Sequence, residues 1–280
     1  MAIALKDIIR SEADAYAEAI AAHAEIVFRD SEERAYFFDN WPRYRSTLEF
    51  LVKNSTNAVQ SLRVLDIGIF PGHIACLLRF CSVGKIFGVS YNPPADFVER
   101  FAALDVPVLS LNVEVDPLPF ESLSFDLVVA TEIFEHVTYD LFFMLAEIER
   151  VLVRGGRLLV TTPNFARLSN RLLMLRGRPV LHPLDDPINP FFTADRDMAV
   201  WRHLREFTRG ELMWVLERAG FEDVKVEWRD TRRSPSASLA RGVKGVREFV
   251  KDFASRKYAP FRNSLFAWAR SRSPCGQSEG

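Results

Sequence analysis

The feature that most constrains the fold is a regular alternation of short apolar segments with helical segments between residues 63 and 162. A short apolar run bounded by turn residues predicts a buried strand, whereas apolar residues at a spacing of three or four predict a helix. The predicted strands cover residues 64–67, 85–90, 107–111, 125–130 and 157–162. This alternation is typical of an α/β fold with a doubly wound parallel sheet. Two later apolar runs, 221–228 and 265–269, bring the predicted mostly parallel sheet to seven strands.

The first 38 residues carry apolar side chains near helical spacing, which predicts an N-terminal helix. Trp41-Pro42 is predicted to end this helix, because proline lacks a backbone donor and its ring clashes with the preceding turn. A second helix is predicted over residues 44–52. These helices either cover the sheet edge or form a lid over a ligand. The chain then divides into an N-terminal helical segment (1–60), a core (61–230) and a basic C-terminal part (231–280).

After the fifth predicted strand, five prolines between residues 163 and 207 predict an irregular insertion over residues 165–207. Long irregular segments in compact domains are usually functional or disordered, and the aromatic residues of this one argue against disorder. We therefore expect the insertion to form a mobile wall of an acceptor pocket. Thr208 and Glu211 predict a capping box for a helix that ends at Gly220. A basic helix is predicted over residues 239–253.

Composition excludes several classes of protein. The 36 basic and 37 acidic residues nearly cancel, so the chain is not a general nucleic-acid binder. Its longest uncharged run, residues 67–78, is shorter than the roughly 20 residues of a spanning helix. The charged N-terminus is unlike a signal peptide, and we expect a cytoplasmic protein. Three cysteines fit neither a disulfide framework nor a zinc pattern, and no metal site is predicted.

A glycine-containing loop follows the first predicted strand. Asp66 and Gly68, with Gly72 further along, lie at the carboxyl end of this strand, where open α/β sheets bind ligands. Phe70 stands where the dinucleotide fingerprint requires its second glycine, and the lysine and hydroxyl of a phosphate-binding loop are also absent. Binding of nucleotide phosphates is therefore disfavoured.

Five segments occur in an order that carries a family resemblance: VLDIGIFPGH, IFGVS, LNVEVDPLPF, FDLVVATEIFEHV and ERVLVRGGRLLVTTPN. Together with HLREFTRGELMWVLERAGF they resemble a class I S-adenosylmethionine-dependent methyltransferase of the small-molecule or glycan-pathway type. The resemblance covers more than half of the chain. It implies a Rossmann-like sheet, S-adenosylmethionine as the cofactor and a small molecule or sugar as the acceptor, methylated at oxygen.

The resemblance also implies which residues border the cofactor. Asp66 and Gly68 would meet its methionine portion. Asn112 and the Val113-Glu114 backbone would border the adenine, and Thr131 and Glu132 would lie beside the reactive methyl. The full predicted set is Asp66, Gly68, Phe70, Gly72, Ser90, Asn112, Val113, Glu114, Thr131 and Glu132. Two residues depart from the family pattern. Ser90 replaces the carboxylate that binds both ribose hydroxyls, and Phe70 replaces a glycine.

His136 and His203 are the candidate catalytic residues, because both fall in family-like segments and a neutral imidazole suits a general base near pH 7. His136 either orients the cofactor or acts as the base. His203 either makes hydrogen bonds at a helix entry or contacts or deprotonates the acceptor. His73 is expected to pack against the cofactor or to cap the turn.

Basic residues are concentrated in the insertion and the C-terminal part; residues 231–280 carry 11 Lys or Arg against 3 Asp or Glu. This surface is either a solvated face or one that contacts an anionic membrane or a phosphate-bearing acceptor. The alternatives to a methyltransferase of small molecules or glycan-pathway sugars are a methyltransferase of quinone-like lipids and a non-catalytic protein that kept the fold. The sequence assigns neither the acceptor atom nor the oligomeric state.

Overall fold

The computed structural model describes residues 28–55, 61–81, 83–181, 203–231 and 253–272. Its centre is a seven-stranded sheet in the order β3-β2-β1-β4-β5-β7-β6. The strands are β1 (Arg63–Ile67), β2 (Lys85–Ser90), β3 (Val108–Ser110), β4 (Phe125–Thr131), β5 (Leu152–Pro163), β6 (Glu222–Arg229) and β7 (Ser264–Arg270). The pairs among β1 to β5 are parallel, and β7 runs antiparallel between β5 and β6. The predicted mostly parallel seven-stranded sheet is confirmed.

Helices cover both faces of this sheet, which is why its central strands are apolar throughout. They are α1 (Ser31–Asn54), α2 (His73–Phe80), α3 (Ala95–Ala103), α4 (Leu141–Val151), α5 (Leu168–Met174) and α6 (Arg209–Arg218). One apolar core contains buried residues of α1, α2 and α3. The core on the opposite face contains buried residues of α4 and α6. The carboxyl ends of the parallel strands remain uncovered by these cores, and the candidate site lies there.

The first helix runs through Pro42, so the predicted break at Trp41-Pro42 was wrong. The side chain of Asp30 caps the helix start by accepting hydrogen bonds from the N–H groups of Glu32 and Glu33, at 3.0 and 2.8 Å. Proline removes one helical hydrogen bond, which tertiary packing offsets here. Trp41 and other apolar side chains on both sides of the proline are buried in the core. The prediction for residues 1–27 lies outside the described residues.

The predicted turn at Gly155-Gly156 was also wrong, because both glycines lie within the single strand β5. The pairing between β4 and β5 shifts register at this point, and Gly155 has a φ of 74°. Surplus residues in one strand are thus absorbed as a bulge, a conformation for which glycine is suited.

The capping box of α6 is confirmed. The Glu211 N–H donates to the Thr208 hydroxyl at 3.3 Å, and the Glu211 carboxylate accepts from the Thr208 N–H at 2.9 Å. Residues 182–202 of the insertion and 239–252 of the predicted basic helix lie outside the described residues. Among the residues that are described, no helix is long and apolar enough to cross a bilayer.

Candidate functional site

Two adjoining cavities lie at the carboxyl ends of β1, β2 and β4. The first, of about 350 Å³, is bordered by the ends of these strands. The second, of about 270 Å³, extends from the same loops towards α1 and His203. Gly68, Phe70, Glu132 and His136 line both cavities, so the two form one connected site. This edge is where the sequence predicted ligand binding.

Asp66 is the most unusual acidic residue at this edge. Its side chain is buried and lines the second cavity, and its Oδ1 has no hydrogen-bond partner among the described residues. Burial raises the pKa of Asp66 to about 8. A buried carboxyl oxygen without a donor is costly. The geometry therefore suits a ligand that brings a hydrogen-bond donor or a positive charge to Asp66.

Gly68 lets the backbone lie directly against the cavity. Its φ is 72°, and an added Cβ would lie 2.8 Å from the Cδ1 of Ile133. The N–H groups of Gly68 and Ile69 both donate to the Val89 carbonyl, at 2.9 and 3.1 Å, which ties the loop to β2. At Gly72 an added Cβ would lie 1.9 Å from the ring of Phe101, so packing of α2 against α3 itself requires this glycine.

The two departures from the family pattern meet in the first cavity. Ser90 is nearly buried at the end of β2 and lines this cavity beside Tyr91 and Asn92. The Phe70 ring contacts Phe97 of α3, with ring centroids 5.2 Å apart, and forms part of the cavity wall. The residues at these two positions therefore shape the space that a ligand would occupy.

Asn112, Val113 and Glu114 form the loop after β3 and do not line either of the two cavities. The Asn112 side-chain oxygen accepts from the Glu114 N–H at 3.1 Å. The Glu114 carboxylate accepts from the N–H groups of Thr138 and Tyr139, at 2.7 and 2.5 Å, and so joins two loops. That this loop borders an adenine stays a prediction.

Helix α1 contributes residues that sequence reasoning missed. Arg43 donates to the Oε2 of Glu132 at 3.2 Å, and the Thr161 hydroxyl donates to its Oε1 at 2.9 Å. Glu132 has a φ of 53°, a strained conformation for a residue other than glycine. A chain separation of 89 residues gives no local signal for the Arg43–Glu132 contact.

His73 is fixed at the start of α2. The Tyr44 hydroxyl and the His73 Nδ1 are 2.9 Å apart, and the imidazole packs edge-on against Phe37. Burial lowers the pKa of His73 to about 3, with smaller contributions from the charges of Arg43 and Arg100. It is therefore a neutral residue that lines the second cavity.

The two candidate catalytic histidines meet although they are 67 positions apart. The imidazole centroids of His136 and His203 are 5.0 Å apart. The Leu204 N–H donates to the Glu135 carbonyl at 2.7 Å, which holds the segment after the insertion against the turn after β4. The His203 Nδ1 lies 3.3 Å from the Glu206 carboxylate, and Arg167 donates to both oxygens of that carboxylate, at 2.6 and 3.0 Å.

Glu135, between these features, was missed by sequence analysis. It is fully buried, and its Oε2 accepts from the Thr162 hydroxyl at 2.9 Å. Its Oε1 has no hydrogen-bond partner among the described residues. Burial, and then the charge of Glu132, raises the pKa of Glu135.

A family model described as a methyltransferase domain matches residues 65–160. This stretch supplies β2 to β4, most of β1 and β5, and the loops around the first cavity. The match agrees with the predicted fold and with the resemblance noted above.

Similarity to known proteins extends beyond residues 65–160. A protein of Mycolicibacterium smegmatis named probable S-adenosylmethionine-dependent methyltransferase is 31% identical over 161 residues, which is 57% of this chain and 51% of that protein. The chain thus spans about half the length of this curated relative. A SAM-dependent methyltransferase from Thermotoga maritima superposes with a TM-score of 0.55 at 20% identity, covering 89% of this chain and 99% of that one.

The fold is similar to that of an enzyme whose structure holds the cofactor. Haemonchus contortus phosphoethanolamine N-methyltransferase 2 in complex with S-adenosyl-L-methionine superposes with a TM-score of 0.52 at 18% identity, covering 97% of this chain and 60% of that one. At such identities the similarity establishes the Rossmann-like methyltransferase fold.

Proposed function

We propose that the protein is an S-adenosylmethionine-dependent methyltransferase that methylates an oxygen of a small molecule or of a sugar in a glycan pathway. The observation that carries the proposal is the buried Asp66 carboxyl group beside Gly68, whose Oδ1 has no hydrogen-bond partner among the described residues. It lies at the ligand-binding edge of the stretch that matches a methyltransferase domain. A zwitterionic amino-acid end is a ligand that supplies donors to such a carboxylate. S-adenosylmethionine carries that end, and its sulfonium supplies an activated methyl group when it is bound.

The residues around the cavities fit the remaining parts of this cofactor. Asp66 accepts hydrogen bonds from the methionine portion, directly or through water, while the Gly68 backbone lies beside it. Ser90 lines the first cavity and would lie near the ribose. The Asn112 loop lines neither cavity and would border the adenine beyond them. Thr131 and Glu132 lie near the methyl group, where Arg43 and Thr161 hold the Glu132 carboxylate in place.

The acceptor enters the second cavity, on the side of His136 and His203. Holding the acceptor oxygen in line with the carbon–sulfur bond supplies much of the rate enhancement, because the donor is already activated. A hydroxyl group must also lose its proton, and we assign its activation to these two imidazoles. With the cofactor bound, the oxygen would attack the methyl carbon as the carbon–sulfur bond breaks, which would give the methylated acceptor and S-adenosylhomocysteine. Glu206 positions His203 for this step by its contact with Nδ1.

One surface supports a lipid acceptor as a second candidate. Met174 and Leu175, at the end of α5, are 47% and 83% exposed, and Arg171, Arg176 and Arg178 lie close to them in the chain. Exposed apolar side chains among arginines are typical of contact with an anionic membrane surface. A quinone-like lipid held at that surface would then be the acceptor.

Calorimetric titration with S-adenosylmethionine and S-adenosylhomocysteine tests the proposed function. The wild type should bind both, and Asp66→Asn should weaken binding by about 10- to 150-fold, the equivalent of one charge-assisted hydrogen bond. Glu217→Gln, an exposed change on α6, is the matched control and should bind like the wild type. Absence of heat and of a thermal shift with the wild type at millimolar ligand would refute the proposal and favour a non-catalytic protein that kept the fold.

Acceptor identity needs a separate measurement. Purified protein and labelled cofactor are incubated with activated sugars, with quinone-like lipids in vesicles and with metabolite extracts, and the methylated product is identified by mass spectrometry. Methylation of sugars favours the first candidate, and methylation that requires anionic vesicles favours the second.

A further inference from the structure

Glu135, His136 and His203 bring three metal-binding donors together beside the acceptor cavity. One carboxylate oxygen of Glu135 and one ring nitrogen of each histidine all lie within 4.8 Å of one another. All three side chains line the second cavity. Two imidazoles and one carboxylate form a common ligand set for catalytic transition-metal ions, which retain open positions for water or substrate.

The Oε1 atom of Glu135 is an independent indication that this carboxyl group serves a ligand. The carboxyl group is fully buried, and its Oε2 receives a hydrogen bond from Thr162. The Oε1 has no hydrogen-bond partner in the described part of the chain. Buried polar atoms almost always have a partner, and an exception requires an explanation such as an ion. A bound cation would supply the partner.

The surroundings of the three donors match those of a metal centre. The His203 Nδ1 lies 3.3 Å from the Glu206 carboxylate, so Nε2 is the nitrogen that would bind the ion in the proposed site. Metal-binding imidazoles commonly donate their other N–H to a carboxylate, which fixes the tautomer and the ring orientation. Glu206 is itself held by Arg167 and by Asn170, which donates at 3.1 Å. Thr162 holds the Glu135 carboxylate in a similar way, by donating its hydroxyl to Oε2.

From these observations we propose that Glu135, His136 and His203 bind a divalent transition-metal ion such as Zn²⁺ or Mn²⁺. Two imidazole ligands favour such ions over Mg²⁺ and Ca²⁺, which prefer oxygen ligands. Bonds of about 2.1 Å require donor atoms roughly 3 to 3.5 Å apart, so the donors must move closer on binding. His136 and His203 are both partly exposed, and rotation of their side chains allows this movement.

This inference rests on the proposed function and specifies how the acceptor is activated. The acceptor hydroxyl binds at an open position of the ion, and the positive charge lowers the pKa of the hydroxyl. Its proton leaves to solvent through the open cavity. The resulting oxygen anion attacks the methyl carbon as described above. In this scheme the imidazoles act by holding the ion.

Metal binding is measured directly, in the absence of cofactor and acceptor. The full chain is stripped with a chelator and titrated with Co²⁺, whose visible absorption reports coordination by nitrogen, and then with Zn²⁺ in competition. We expect one ion per chain. Loss of a ligand in Glu135→Gln or His203→Ala should weaken binding by more than the roughly 10- to 100-fold that loss of an outer partner costs. Glu217→Gln should bind like the wild type.

Two results would overturn the metal site: absence of Co²⁺ and Zn²⁺ uptake by the stripped wild type at millimolar ion, or equal affinity in the wild type and both ligand variants. Glu135→Gln retains the shape of the side chain and an acceptor for Thr162, and denaturant unfolding verifies that both variants are folded. Titration with S-adenosylhomocysteine in the presence of chelator separates the two proposals. Cofactor binding without ion uptake refutes only the metal site, whereas ion uptake without cofactor binding refutes only the proposed function.

Discussion

Replacing Asp66 by Asn should stabilise the ligand-free protein in a manner that depends on pH. Burial raises the pKa of Asp66 from its ordinary value of 3.8 to about 8. Between these values the folded protein binds more protons at this position than the unfolded chain, so wild-type stability falls as pH rises. The loss is complete above about pH 8 and absent below about pH 4.

The size of the effect follows from the same pKa. Each pH unit inside this window lowers the free energy of unfolding of the wild type by about 1.4 kcal/mol. The decrease accumulates to about 5 kcal/mol between pH 4 and pH 8. Asparagine does not titrate and has nearly the same volume as aspartate. The difference in free energy of unfolding between Asp66→Asn and the wild type should therefore grow with pH at this rate and then level off.

Urea unfolding of both proteins at unit steps from pH 4 to pH 9, without cofactor, measures this difference. Contributions from all other titrating groups are common to both proteins and cancel in it. Saturating S-adenosylhomocysteine should reduce the advantage of the variant at pH 8, because the ligand stabilises the wild type preferentially. A difference that stays constant with pH, or a variant that becomes relatively less stable as pH rises, would refute an unpartnered buried carboxyl group at position 66.

Three further predictions concern the same edge of the sheet. Gly68→Arg should abolish cofactor binding in calorimetry while unfolding stays cooperative. Gly177 also has a positive φ but has open space around it, so Gly177→Arg should bind the cofactor normally. Normal binding by Gly68→Arg would show that the cofactor binds elsewhere. Ser90→Asp should keep or tighten cofactor affinity by supplying a bidentate acceptor for the ribose hydroxyls, and a clear weakening would show that Ser90 serves another purpose. Hydrogen exchange of residues 165–207 should slow when the acceptor joins the complex with S-adenosylhomocysteine. Complete protection of these residues without ligand, together with full activity of His203→Ala, would instead identify a rigid structural insertion.

Local sequence signals predicted the sheet closely, because strand burial depends on apolar runs that are visible residue by residue. The predicted strand 85–90 coincides with β2. The capping box at Thr208 was equally visible, since both partners lie within four residues. Pro42 and Gly155 were misread because their local preferences are outweighed by packing of α1 and by pairing of β5, which depend on distant residues.

The residues of the candidate site were likewise predicted where the signal is local and missed where it depends on distant contacts. Asp66 and Gly68 were predicted from one short loop, and the structure places both at the connected cavities. Arg43 and Glu135 were missed because their significance arises only from contacts across the fold. His136 and His203 were singled out separately, and nothing in their spacing indicated that the two rings would meet.

Helix α1 and His203 lie outside residues 65–160. Their position affects which properties can be inferred for a relative that shares only this stretch. The matched domain contains Asp66, Gly68 and Ser90, which under the proposed function serve the methyl donor. Arg43 and Tyr44 on one flank, and His203 on the other, line the second cavity. Under the proposed function, a relative that shares only the central stretch would share the residues that serve the methyl donor and not those that line the acceptor side. Under the same proposal, exchange of the two flanks between such relatives should change the acceptor, while the sheet and the cofactor stay the same.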